Sequence, residues 1–233
     1  MLDVQPTRVG DGHVLSSLNA PLTSQRDMQA GSAKVSGSLN ARCSANVPDT
    51  LADPALSRGY NSAVIRSFRG VTPRVHPTAF IDASAQVIGD VEIGEESSVW
   101  MCTVLRGDVH AIRVGRRTNV QDGAIVHVMN SMDATLATTI GDNVTIGHGA
   151  IVHGCTIEHQ CLIGMGAILL NGAHVGPGSI VAAGTLLVEN MRVPPRSLVM
   201  GSPGKVKRLL TQAETADVQA YADRYVLYRL HYL

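Results

Sequence analysis

Aliphatic residues recur along this chain at a spacing that suits neither a helix nor a flat strand. From Val75 they fall at Ile81, Val87, Ile93, Val99 and Leu105, each step being six residues. The register resumes at Val114, Val120 and Val126, and again at Ile140, Ile146 and Val152. After one five-residue step it runs through Ile157, Ile163, Leu169, Val175, Val181, Leu187, Val193 and Val199. The residue after the aliphatic is often Gly or acidic, and the residue four after it is usually small. A sustained hexapeptide period marks a parallel β-helix in which each six-residue unit forms one short side of a coil. The aliphatic then points inward, the small residue shares the narrow interior, and glycines serve the tight corners. The pattern predicts an all-β solenoid over residues 67–203.

The period stops at "VPPRSLVMGSPGK", where two prolines and a Gly-Ser-Pro-Gly break regular structure. Beyond it, "TQAETADVQAYADRYVLYRL" has a helical pattern, with Thr211 and Glu214 spaced as a capping box. Leu210, Ala213, Asp217, Tyr221, Ala222, Tyr225 and Tyr228 supply a mostly apolar stripe. Residues 204–233 are therefore expected to form an α-helix that packs along the prism or caps its open end. Residues 1–66 lack any such period, are rich in Ser, Ala, Asn and Gly, and read as a disordered N-terminal extension. Their Ser and Arg content admits an organellar targeting peptide, against which Asp3, Asp11, Asp27, Asp49 and Asp53 count.

Composition sharpens this picture. The chain is 45% hydrophobic but only 3% aromatic, with 23 glycines, as thin regular layers require. Lys plus Arg and Asp plus Glu balance at 19 each, so no charge excess points to nucleic acid. Cys43, Cys102, Cys155 and Cys161 form neither a CxxC nor a disulfide framework, which favours a reducing, cytoplasmic setting. No apolar run approaches the roughly 18 residues of a membrane span.

The register also places the candidate chemistry. His127 follows Val126 and His153 follows Val152, so both occupy the same outward slot of their hexads. They are 26 residues apart, one eighteen-residue coil plus eight residues that "MNSMDATLATT" loops out. His127 and His153 then stack on one face in adjacent coils, about 4.7–4.9 Å apart, as two ligands of one metal would. His148 lies two residues past Ile146 on the preceding side, and reaches that metal only from a neighbouring chain. Three imidazoles without a fourth protein ligand leave the open position of a catalytic metal. Such a shared site needs a cyclic oligomer, most simply a homotrimer. His110, His159 and His174 fall outside this arrangement and read as surface histidines. Arg106 and Asp108 in "LRGDV" form a candidate ion pair between subunits. "NVQDGAIVH" puts Asn119, Gln121 and Asp122 just before His127. Asn and Asp suit solenoid corners, whereas Gln121 is expected to face the metal side and hold a metal-bound water or an anionic product.

Together "LRGD", "NVQDGAIVH", "IGHGAIVHGCTI", "IGMGAILLNGA" and "GSPGKVKR" resemble the γ-class carbonic anhydrase family of left-handed β-helix trimers, over about residues 68–230. The resemblance implies a left-handed parallel β-helix with a C-terminal α-helix. It also implies Zn2+ (with Co2+ or Fe2+ as substitutes) held by His127 and His153 of one subunit and His148 of the next. Arg106 would tie subunits together with Asp108 as its partner, and Gln121 would bond the zinc-bound hydroxide, supported by Asn119 and Asp122. The implied reaction is reversible hydration of CO2 to bicarbonate by that hydroxide. Tyr225 matches loosely a C-terminal aromatic that reaches the site in some members. Two features depart from the family pattern: Val109 stands where active members often carry Glu, and only Asp133 is available as an acidic proton shuttle. Two other readings compete: an acyltransferase or thioesterase acting on a coenzyme A ester, and a metal-binding assembly subunit with weak or no turnover.

Overall fold

The computed structural model describes residues 64–130 and 137–233. They form a parallel β-solenoid of about seven coils followed by a single α-helix. Three sides make each coil. The first carries Ile125–His127, Ile151–His153, Ile168–Leu169 and Leu186–Leu187; the second carries Ser98–Val99, Asn119–Val120, Thr145–Ile146, Leu162–Ile163 and Ile180–Val181. The third carries Thr138–Ile140, Thr156–Ile157, His174–Val175 and Arg192–Val193. Two long strands, Gln86–Ile93 and Val104–Val114, run on from the first side to the third, and their pairing shifts register between Gly89 and Val91.

The hexapeptide period is the packing period. Val126, Ile140, Ile146, Val152, Ile163, Leu169, Val181 and Leu187 are all fully buried and stack as continuous inner ribs. The small slot is equally buried at Ala124, Ala150, Ala167 and Thr185. At Ser97 and Thr118 the hydroxyl in that slot finds an acceptor in the next coil: Ser97 donates to Gly115 O at 2.7 Å, and Thr118 to Gly141 O at 2.7 Å. Thr185 is the exception, its buried Oγ1 having no partner, at the cost that an unpaired hydroxyl carries.

Both ends of the solenoid differ from the sequence boundaries. Ile65–Arg66 pairs with Val87–Ile88, so strand structure already includes the last residues assigned to the N-terminal extension; residues 1–63 of that segment lie outside the described residues. Lys205–Leu209, expected at the start of the helical segment, is instead a strand that pairs antiparallel with Ser197–Met200.

The helix spans Gln212–Tyr228 and starts on the predicted capping box: Thr211 accepts from Glu214 N, and the Glu214 carboxylate accepts from Thr211 N. Its buried face is Val218, Ala222 and Val226, an i, i+4, i+8 stripe. Tyr221 and Tyr228, assigned to the apolar stripe from sequence, are 40% and 48% exposed. Only short side chains fit where the helix lies close against the prism, so the rings are displaced to its flank. The helix climbs back along the coil stack. Leu210 N donates to Arg196 O in the last coil, Gln219 bonds Gln160 and Asn143, Asp223 pairs with Arg117, and Arg229 donates to Thr78 O and pairs with Glu96 in the first coils.

Candidate metal centre

His127 and His153 are paired directly across the ladder, one coil apart, as the eighteen-residue register predicts. Their rings lie 5.0 Å apart between centroids, tilted by 58°. His127 Nδ1 faces His153 Nε2 at 3.0 Å. What holds the rings in this pose is the partner of each outer nitrogen. His127 Nε2 is 3.1 Å from Asp108 Oδ1, and the other carboxylate oxygen is paired with Arg106. His153 Nδ1 is 2.7 Å from Asn171 Oδ1, and the Asn171 amide nitrogen donates to Glu189 Oε1 at 3.2 Å. With Asp108 ionised and Asn171 Oδ1 an obligate acceptor, both outer nitrogens carry the ring proton.

The consequence is electrostatic. Two neutral rings protonated on their outer nitrogens present lone pairs to each other at 3.0 Å. Such a contact is repulsive unless a proton or a metal lies between them. Ligands of a tetrahedral zinc at 2.0–2.1 Å stand about 3.3 Å apart, so a few tenths of an ångström of opening accommodates the ion. Burial, with the charge of Arg106 added, pushes the His127 imidazole below its usual value despite the Asp108 carboxylate. The neutral ring that a metal needs is therefore favoured. Burial raises Asp108, but hydrogen bonds from Arg106 and His127 outweigh it and hold the carboxyl below the usual range. An outer hydrogen bond from each ligand imidazole to a fixed acceptor is the common second layer of metal sites.

His148 is elsewhere. It sits at the corner after Thr145–Ile146, half exposed, with Nδ1 2.9 Å from Asp122 Oδ2. Two glycines make that corner. A Cβ on Gly147 would lie 2.7 Å from Met165 N of the next coil, and Gly149 has φ +65°. Between them only His148 carries a side chain, and it projects outward. Gln121, expected toward the metal side, lies with His148: it is buried, and its Nε2 donates to Asn119 Oδ1 at 3.0 Å. Asn119 is fixed in turn by donating to Thr145 Oγ1 at 2.9 Å. One chain thus brings together Arg106, Asp108, His127 and His153 on one side, and Asn119, Gln121, Asp122 and His148 at another. Among the described residues of one chain, no three His, Cys, Asp or Glu side chains converge to hold a metal.

Asn171 was not among the sequence candidates. Its signal was the register itself, since it lies eighteen residues after His153, one coil on. His159, His174 and His110 make local contacts. Asp142 N donates to His159 Nδ1 at 2.9 Å, His174 Nε2 is 2.9 Å from Glu158, and His110 Nδ1 accepts from Ala111 N at 2.7 Å. Tyr225 packs edge-on against Trp100 at 5.3 Å, near Asp122; burial and that carboxylate both raise its phenol. Val109 is exposed, and Asp133 lies outside the described residues.

Coils of this period, with a histidine pair in register on one flank, define a hexapeptide-repeat protein. The hexapeptide repeat of succinyl-transferase matches residues 137–171 and 155–188. "Gamma carbonic anhydrase 2, mitochondrial" of Arabidopsis thaliana is 46% identical over 157 residues, 66% of this chain and 56% of that protein. The chain thus spans little more than half of that relative's length. A "Carbonic anhydrase" of Geobacillus kaustophilus is 38% identical over 163 residues, covering 70% of this chain and 87% of that one. A solved hexapeptide transferase family protein from Anaplasma phagocytophilum superposes with a TM-score of 0.70 at 42% identity, over 74% of this chain and all of that one. This chain belongs to the γ-class carbonic anhydrase family.

Proposed function

We propose that the protein is a metal-dependent carbonic anhydrase of a homotrimer, with each site shared between two subunits. The observation that carries this reading is the facing His127–His153 nitrogen pair, with both outer nitrogens held by acceptors. His127 and His153 of one subunit and His148 of the next would hold the ion, zinc in the first instance and cobalt or iron by the same donor chemistry. A zinc bound there supplies an activated water at neutral pH by lowering its pKa to about 7. The chain's own residues do the rest. Asp108 and Asn171 fix the ring tautomers, and Arg106 keeps Asp108 ionised. Gln121, locked by Asn119 and Thr145, presents a side-chain amide at the His148 corner to orient CO2 or bicarbonate oxygens. His148 would bind the metal through Nε2 while Nδ1 stays on Asp122, the same outer support that Asp108 and Asn171 give the other two rings. With Asp108 and Asp122 both committed to ring nitrogens, turnover is expected to rise with buffer concentration.

Metal analysis and CO2 hydration on one anaerobically purified sample test the reading. The expected result is one divalent ion per chain and a rate lost in His127→Ala, His148→Ala and His153→Ala. A metal-replete protein with no rate above buffer would leave only the reading as a metal-stapled assembly subunit. A coenzyme A-dependent transferase is the second reading, favoured by the transferase name of the Anaplasma relative. One histidine would suffice for it, and absence of any bound divalent ion would favour it. Setting is read from the same features: no helix among the described residues is long and apolar enough to cross a membrane. A cytoplasmic place suits the free thiols, and the mitochondrial Arabidopsis relative makes an organelle the alternative.

A further inference from the structure

The chain holds one Trp, five Tyr and two Phe. Five of these eight rings meet at one corner of the solenoid, where the end of the helix passes Trp100. A ring-poor protein that gathers its rings in one place needs a reason. Phe80 backs the cluster, tilted against Trp100 at 5.4 Å and against Tyr232 at 5.7 Å. The others stand as walls. Tyr225 and Tyr232 meet Trp100 at 83° and 84°, and Tyr228 meets Tyr225 at 68°. Trp100 is buried by these contacts, whereas Tyr228 and Tyr232 stay exposed beside it. Beside them lies a cavity of about 590 Å³ lined by Trp100, Tyr225, Tyr228 and Tyr232, with Met101, the His231 imidazole and the Asp122 carboxylate in the same wall.

The exposed rings and the carboxylate of this corner favour a large, weakly hydrated cation, and at pH 8 the His231 imidazole in the wall is expected to be uncharged. Ring faces carry the negative part of the aromatic quadrupole and attract cations within about 6 Å. The carboxylate supplies the balancing charge, and it is accessible, since the Asp122 side chain is 44% exposed. No guanidinium among the described residues lies over these rings. Among the described residues the cations over rings are Arg69 on Phe68 and Arg224 on Tyr221, both outside the cavity wall. A small inorganic cation is poorly served there, because ring faces cannot replace its hydration shell of oxygens. An uncharged apolar ligand would have no use for the carboxylate.

We propose that this corner is a binding site for an organic ammonium ion of the quaternary or methylated-amine class, its head against Tyr225, Tyr228 and Tyr232 and its charge balanced by Asp122. The site does not require a metal. It adjoins the metal reading at one point only, because Asp122 also holds His148 at 2.9 Å.

Trp100 is the only tryptophan, so its fluorescence reports the cavity directly. The full chain, stripped of metal, is titrated at pH 8 and constant ionic strength with choline chloride, and in parallel with 3,3-dimethylbutanol, the uncharged isostere. The expected result is a saturable change with choline and at least about 10-fold weaker binding of the alcohol. Tyr228→Leu, at a half-exposed position, should weaken choline binding about 5–30-fold. Asp122→Asn should weaken it as well. His153→Ala should keep choline binding intact while losing metal, so the fate of the metal site and of this site are read separately. Equal binding of the alcohol, no saturable change with choline at millimolar concentration, or an unaffected Tyr228→Leu would each overturn the proposal.

Discussion

At Asn171 a single carbonyl oxygen decides which nitrogen of His153 faces its neighbour. Replacing it with Leu removes the acceptor, and the ring is then free to flip or to change tautomer. Asn171→Leu is expected to weaken divalent metal binding about 10–100-fold, read by competition with a chromophoric chelator, with the melting temperature nearly unchanged. Unaltered affinity would mean that the ring is held by packing instead. At this scale the sequence was legible for the histidines and silent for their supports. His127 and His153 share a hexad slot, and slot alone determines their pairing. Asn171 shares a coil position with His153, but whether its amide turns toward the ring depends on Glu189 taking its nitrogen. For Gln121 the hexad gave a direction but not its supports: its amide donates to Asn119, which Thr145 holds in turn, on the His148 side.

The helix N-terminus is an element whose stability follows pH in a definite direction. Arg208, then Thr211, draw the Glu214 carboxyl down to about 2 from 4.5. The folded pKa lies below the unfolded one, so this contribution is fully present above pH 4.5 and is lost as pH falls toward 2. The melting temperature of the wild type should accordingly exceed that of Glu214→Gln at pH 6, with the gap closing by pH 2–3. A gap independent of pH would sink the assignment. Thr211→Ala should cost about 1 kcal/mol at neutral pH, the usual worth of such a cap. The capping box was readable because its two residues are three apart in sequence. The buried face was not, because periodicity records hydrophobicity and cannot tell that only Val218, Ala222 and Val226 are slim enough to approach the prism.

For the whole molecule, a site divided between subunits makes a prediction that no single-chain site can satisfy. His127→Ala and His148→Ala each remove a ligand, and each homotrimer should bind metal poorly. Unfolded together in equal amounts and refolded, they should form mixed trimers. In these, a His148→Ala chain supplies the His127–His153 pair while its neighbour supplies His148. Random mixing restores about one site in four, measurable as metal retained after gel filtration and, where the enzyme reading holds, as recovered CO2 hydration. No recovery would place all three ligands within one chain or none of them at the site. The β-helix itself was legible to within a few residues, because a solenoid repeats its packing every coil and so repeats its sequence. The exceptions lie at the two ends, where Ile65–Arg66 and Lys205–Leu209 pair without a hexapeptide of their own.

The helix that touches the last coil at Arg196 and the first at Thr78 acts as a gauge for the stack. A helix advances 1.5 Å per residue and coils are spaced at about 4.8 Å, so each coil corresponds to about three helical residues. Insertion or deletion of a single coil would leave every hexapeptide content with its neighbours, yet would pull Arg229 off Thr78 and Glu96 unless the helix changed length by one such increment. Repeat number, which nothing within a repeating ladder can count, is thereby metered by a non-repeating element, and gain or loss of coils in this lineage should be accompanied by matched changes in the tail.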